Sequence, residues 1–304
     1  MAGPDLKVRI GGVEFRNPVM QAAGILGTTA GVMRRVYEAG AGAVFTKSVG
    51  LEERVGYPNP TVVEVECGLL NAMGLPSPGI SELRGEVSKL REWGIPVVVS
   101  VFGSKPEEYA KVSSMAEEAG AVAVELNFSC PHVGEVSLIG QRGDLVEEFT
   151  RAVKDAVDIP VFVKLTPNVS DIASIALRAE KGGADAVTAI NTVRAMAIDI
   201  WTAKPILGNR LGGLSGPAIK PIAVRCVYEI YETVDIPVIG CGGVKSWMDA
   251  VELMLAGASA VQVGTAIMYR GLGVFGEILE GLSNYLGRMG FRSVSEIVGL
   301  AHEA

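Results

Sequence analysis

The sequence predicts an α/β chain folded as a (β/α)8 TIM barrel, with a small N-terminal hairpin and long loops over the C-terminal mouth. Three observations carry that expectation: β-rich apolar runs alternate with amphipathic segments, the runs number eight, and Gly-Ile-Pro, Asp-Ile-Pro and Ala-Gly-Ala elements recur where helices hand over to strands. Eight βα units in one chain indicate a barrel. A doubly wound open sheet is the competitor, since alternation alone does not demonstrate closure, but the strand count favours the barrel.

In chain order, residues 1–17 carry Val8-Arg9-Ile10-Gly11-Gly12-Val13-Glu14-Phe15, read as a hairpin closing the barrel end opposite the mouth. The eight runs follow at 18–23, 42–47, 96–102, 121–127, 160–165, 184–191, 237–240 and 258–264. They are rich in Val, Ile and Ala on both faces, as parallel strands buried on two sides must be. Amphipathic segments at 106–119, 145–156, 170–181, 217–233 and 246–256 are long enough to cross back over a sheet. Two connections, 48–80 and 192–216, are far longer than a turn requires, and loops of that length usually serve function. They should cover the mouth. With no linker and no low-complexity tract, residues 1–304 are expected to form a single domain.

Composition narrows the function classes. Apolar residues make up 49% of 304, enough for a large core, and a net charge of −7 argues against a nucleic-acid or anionic-membrane surface. The four cysteines, at 67, 130, 226 and 241, lack both Cys-x-x-Cys pairing and zinc-like spacing, so neither a disulfide framework nor a metal site is expected. They read as thiols of a reducing cytoplasm. No signal peptide and no apolar run approaching 18 residues is evident.

The chain is organised around Asn127-Phe128-Ser129-Cys130-Pro131-His132, which follows a buried strand and places an amide and a thiol at the edge of the core. A lone cysteine is more often a small hydrophobe than a reactive group; its surroundings favour chemistry. Lys47 and Lys164 each sit near a strand end, where partial desolvation calls for an anionic partner. Asn71, Asn127 and Asn191 can each donate and accept, as recognition of an imide or amide ring requires. After the last two strands come Ile239-Gly240-Cys241-Gly242-Gly243-Val244 and Val261-Gln262-Val263-Gly264-Thr265, and an earlier loop carries Gly212-Gly213-Leu214-Ser215-Gly216-Pro217. Bare glycine backbone in the last two loops of a barrel suits phosphate, although glycines also serve tight turns alone. A planar anionic substrate and a phosphate-bearing cofactor are expected.

These stretches, with Asn17-Pro18-Val19-Met20, Thr46-Lys47-Ser48, Asn71-Ala72-Met73-Gly74-Leu75, Val163-Lys164-Leu165-Thr166-Pro167 and Asn191-Thr192, stand in the order found in class 1 dihydroorotate dehydrogenases. Over nearly its whole length the chain resembles that family, closest to the class 1B catalytic subunit. The resemblance implies FMN in the barrel mouth and oxidation of dihydroorotate to orotate in pyrimidine synthesis. It implies Cys130 as the base, with Lys47, Asn71, Met73, Gly74, Leu75, Asn127, Asn191 and Thr192 around the substrate. Ala23, Lys47, Ser48, Ser100, Asn127, Lys164, Ile190, Gly216, Gly242, Gly243, Gly264 and Thr265 would hold FMN, with Lys164 near its N1. It further implies a homodimer and a second subunit carrying FAD and a [2Fe–2S] cluster, together a heterotetramer. Four positions depart from the family pattern: His132 and Ser77 replace asparagine, Ser100 stands where asparagine often meets the flavin, and Ala23 replaces serine. A histidine after Cys-Pro also occurs in dihydropyrimidine dehydrogenases, which reduce uracil or thymine on the same barrel, and that is the alternative reading.

Overall fold

A computed structural model describes residues 3–128 and 139–303. Cys130 and His132 lie outside the described residues. Eight parallel strands line up as Val19–Gln21, Val44–Phe45, Val97–Val101, Ala123–Asn127, Val161–Leu165, Ala186–Ala189, Val238–Cys241 and Ala258–Val263. From the second strand to the eighth each pairs with the next in chain order, and the eighth pairs with the first. Gly42 N donates to Val19 O at 2.7 Å and Gln21 N to Ala43 O at 3.2 Å, which joins the first two strands and closes the ring. The barrel expected from eight βα units is what forms.

Alternation along the strands explains the two cores. Inward-facing Met20, Ala43, Phe45, Val98, Ala123, Phe162, Ala186, Ile239 and Ala260 pack with Ile10 and Phe15 in one cluster. Those last two come from the antiparallel pair Val8–Ile10 and Val13–Phe15, so the N-terminal hairpin plugs the bottom of the barrel as expected. Outward-facing residues such as Val97, Val99, Val124 and Val163 join the buried stripes of the surrounding helices in a second cluster. Burying each large apolar side chain contributes roughly 1.5–3 kcal/mol, which makes these layers the main stabilising element.

The helices follow ordinary local rules. Pro106–Ala119 has proline in its first turn, buries Tyr109, Val112 and Ala116 on one stripe, and ends at Gly120 in a left-handed conformation. The segments expected at 145–156, 170–181, 217–233 and 246–256 appear as Gly143–Lys154, Ile172–Lys181, Lys220–Tyr231 and Trp247–Leu255. No helix among the described residues is long and apolar enough to cross a membrane.

The two long connections are more ordered than loops. Val62–Val65 and Gly68–Asn71 from the first pair with Val193–Ala195 and Gly212–Ser215 from the second in a four-stranded antiparallel sheet. Gly213 stands opposite Asn71 and Leu214 opposite Leu70. This sheet lies over the mouth and sets the roof of the cavity beneath it.

Candidate active site

A cavity of about 660 Å³ lies between the strand ends and the overlying sheet. That volume is the size of a small-molecule site. Ala23, Lys47, Ser48, Asn71, Met73, Gly74, Leu75, Asn127, Lys164, Ile190, Asn191, Thr192, Gly216, Gly242, Gly243, Gly264 and Thr265 all line it. Ser100 is fully buried beside it, and its hydroxyl lies 2.9 Å from that of Ser48. The structure therefore puts Ser100 behind Ser48, with its backbone N–H bonded to Thr46 Oγ1 at 3.0 Å.

Local structure fixes these side chains. Lys47 follows strand Val44–Phe45, and its backbone N–H donates to Gly27 O at 2.8 Å. A Cβ on Gly27 would come within 2.4 Å of that nitrogen, so only glycine lets the 24–28 loop approach the strand end. Across the mouth, Asn127 Nδ2 donates to Ser48 Oγ at 2.9 Å, while Asn191 Nδ2 donates to Asn127 Oδ1 at 3.3 Å. Asn191 Oδ1 accepts from the Thr192 N–H at 2.7 Å, and Asn71 Nδ2 donates to Gly213 O at 3.3 Å. Three amides from separate segments are thus held by neighbours before any ligand arrives.

The floor of the cavity holds a network that sequence reasoning missed. Lys164 Nζ donates to Gln262 Oε1 at 2.9 Å and lies 3.8 Å from Glu125 Oε1. Glu125 Oε2 accepts from Thr188 Oγ1 at 2.9 Å and from Gln262 Nε2 at 3.0 Å. Burial works against the charge on Lys164, but the facing acidic groups, Cys241 and Glu125, outweigh it and raise the lysine above its ordinary 10.5. Burial pushes the Cys241 thiol up as well. The signal available in the sequence was an acid inside the apolar run Ala123-Val124-Glu125-Leu126.

The glycine loops close the far end. Gly216, Gly242 and Gly243 have φ of +102°, +128° and +74°. A Cβ on Gly243 would lie 2.6 Å from Lys220 Cβ, so this turn demands glycine whether or not a phosphate binds. The same bare backbone also borders the cavity, beside Thr265 at the start of helix Thr265–Arg270. Lys220 pairs with Asp249 at 2.9 Å, tying the helix after one loop to the helix after the next.

Fold and site together define a small-molecule-binding barrel with a roofed mouth, a lysine in its floor and an amide-lined wall. The profile of the dihydroorotate dehydrogenase family matches residues 5–286, and the chain belongs to that family. It is 54% identical to the "Dihydroorotate dehydrogenase B (NAD(+)), catalytic subunit" of Methanocella arvoryzae, with 96% of each chain covered. The protein of the same name from Pyrococcus abyssi is 53% identical, over 97% of this chain and 99% of that one. A dihydroorotate dehydrogenase of Eimeria tenella, solved in complex with ferulenol, superposes with a TM-score of 0.88 at 22% identity, covering 99% of this chain and 89% of that one. This last likeness concerns the fold. The family depends on FMN, and the residues present fit it: the cavity is large enough, the ammonium faces its floor, and its glycine rim carries no side chains.

Proposed function

We propose that this chain oxidises (S)-dihydroorotate to orotate in de novo pyrimidine (UMP) synthesis, within a single FMN-binding barrel domain spanning 1–304. The observation that supports it most is the convergence of Lys47, Asn71, Asn127 and Asn191 above Lys164 in one cavity of a chain of this family. Bound FMN supplies the hydride acceptor. The chain's own residues do the rest. Cys130 removes the C5 proton of the substrate as hydride leaves C6, a role for which a thiol of ordinary pKa about 8.5 suffices when the neighbouring carbonyl acidifies that carbon.

Lys47, Asn71, Asn127, Asn191 and Thr192 bind the substrate carboxylate and ring edges, with Met73, Gly74 and Leu75 lining the pocket. Lys164 would hold a fixed positive charge toward the bound cofactor and so favour its taking up negative charge. Ala23, Ser48 and Ile190 would pack against the ring, and Gly216, Gly242, Gly243, Gly264 and Thr265 would hold its phosphate. Ser100 acts through Ser48.

A nicotinamide site within this chain has no support, because no Gly-x-Gly-x-x-Gly stretch opens a βαβ unit. The likeness to class 1B catalytic subunits supports a partner subunit that would carry FAD and a [2Fe–2S] cluster and would link the reaction to NAD, in a cytoplasmic heterotetramer built on a homodimer of this chain. The dihydropyrimidine dehydrogenase reading, motivated by His132, is disfavoured by relatives named as dihydroorotate dehydrogenases at 53–54% identity. Titrating the purified flavoprotein with orotate and with uracil tests the choice. Orotate should perturb the flavin absorbance at far lower concentration, and equal or tighter binding of uracil would reject the proposal.

A further inference from the structure

We propose that Glu125 is the positioning residue for Lys164, a carboxylate walled into the barrel that aims the lysine ammonium at the cavity floor and keeps it charged. Glu125 is fully buried on strand Ala123–Asn127, one inward position below Asn127. Its Oε2 takes both neutral hydrogen bonds, from Thr188 and Gln262, whereas its Oε1 takes none among the described residues and faces Lys164 Nζ at 3.8 Å. Gln262 joins the two charges, since its amide nitrogen donates to Glu125 and its amide oxygen accepts from Lys164 at 2.9 Å. Strand pairing sets Thr188 level with Lys164, so one layer of the barrel interior holds the cluster.

The chemistry singles out the lysine as the reason for the acid. A glutamine at 125 could accept the same two hydrogen bonds through its carbonyl, so the scaffold alone does not require a charge there. A buried carboxylate is costly unless an opposite charge answers it. A buried ammonium is equally unfavourable, and desolvation by itself drives lysine towards its neutral form. Among the described residues, the titratable groups facing Lys164 are Glu125 from strand Ala123–Asn127 and Cys241 from strand Val238–Cys241, with Lys47 lining the same cavity. A protonated thiol carries no charge, which leaves Glu125 as the group that sustains the ammonium near neutral pH. The purpose assigned to that charge rests on the flavin site proposed above; the pairing itself does not.

The test uses the full chain labelled with [13Cε]lysine, with the Lys164 resonance assigned by its loss in Lys164→Met. In the parent, Lys164 should stay charged past its ordinary 10.5. Glu125→Gln should lower its titration midpoint by about two pH units or more, roughly a 100-fold loss of proton affinity, and Glu125→Asp should restore most of it. A Glu125→Gln protein whose Lys164 titrates like the parent would overturn the proposal. Should Glu125→Gln fail to fold, the double variant Glu125→Gln/Lys164→Met decides: recovery of folded protein supports the pairing, and continued failure overturns it. In the FMN-loaded enzyme, Glu125→Gln should lose flavin reduction rate as pH rises through the lowered lysine value, while the parent shows no such limb. A parent flavin inert to dihydroorotate, alongside a shifted lysine titration, would refute the function proposed and leave the pairing supported.

Discussion

Asn127 donates its side-chain amide to Ser48 Oγ at 2.9 Å, a bond that links two strand ends separated by the intervening strand Val97–Val101. Because Ser48 is itself braced by the buried Ser100 hydroxyl at 2.9 Å, the amide is oriented before ligand enters. Ser48→Ala should leave the fold intact and weaken orotate binding by about 1–3 kcal/mol, roughly 5- to 150-fold, as a pocket amide loses its brace. Titration of flavin absorbance measures this, and unchanged affinity would remove Ser48 from the account.

The second prediction concerns the glycine rim. Gly243 has φ +74°, and a Cβ there would press on Lys220. Gly243→Ala costs about 1–2 kcal/mol from the left-handed backbone alone, before the clash with Lys220 is counted. The variant should elute from gel filtration with a lower flavin-to-protein absorbance ratio and melt earlier than the parent. Full FMN retention at parental stability would show that this loop tolerates a side chain.

Acid stability supplies a third test. Asp249 is buried and closes a capping box with Ser246. Burial pulls its pKa upward, but hydrogen bonds from Lys220 and Ser246 carry it below the ordinary 3.8. A folded value lower than the unfolded one gives stability that is complete above 3.8 and is lost as pH falls through the folded value. Asp249→Asn should therefore be less stable by about 1–3 kcal/mol near neutral pH, with the gap to the parent closing below pH 3.8. Urea unfolding across that range reads the gap, and a constant difference at all pH values contradicts the assignment.

Much of this was legible from residues alone, for physical reasons. Val97–Val101 and Val161–Leu165 announce themselves because a strand buried on both faces must be apolar throughout. Proline and glycine marked the ends of helix Pro106–Ala119 to the residue. That the two long connections cover the mouth was legible, but their joining in one sheet was not, because the pairing joins Asn71 to Gly213, a contact far apart in sequence that no local pattern encodes. The same limit hid the floor. Lys164 stood out as a charge at a strand end, but its partners Glu125 and Gln262 come from other strands, and only barrel closure brings them together. Ser100 was expected against the flavin, and burial behind Ser48 depends on side-chain direction that spacing does not give.

The fourth prediction addresses the electron acceptor. The purified chain should oxidise dihydroorotate with artificial dyes but not with NAD, and should gain NAD activity when the proposed FAD and iron–sulfur subunit is added. Dimers of the barrel should persist without that subunit. Robust NAD reduction by the chain alone, or efficient turnover with fumarate, would overturn the class 1B assignment.

The most direct measurement is anaerobic reduction of the bound flavin, followed by its absorbance after mixing with dihydroorotate or with dihydrouracil. Dihydroorotate should bleach the flavin rapidly, and dihydrouracil should not. Cys130→Ala should retain flavin but slow the bleaching by about 100- to 10,000-fold, the contribution of a positioned base. Bleaching by dihydrouracil at a matching rate, or a Cys130→Ala variant as fast as the parent, would contradict the account.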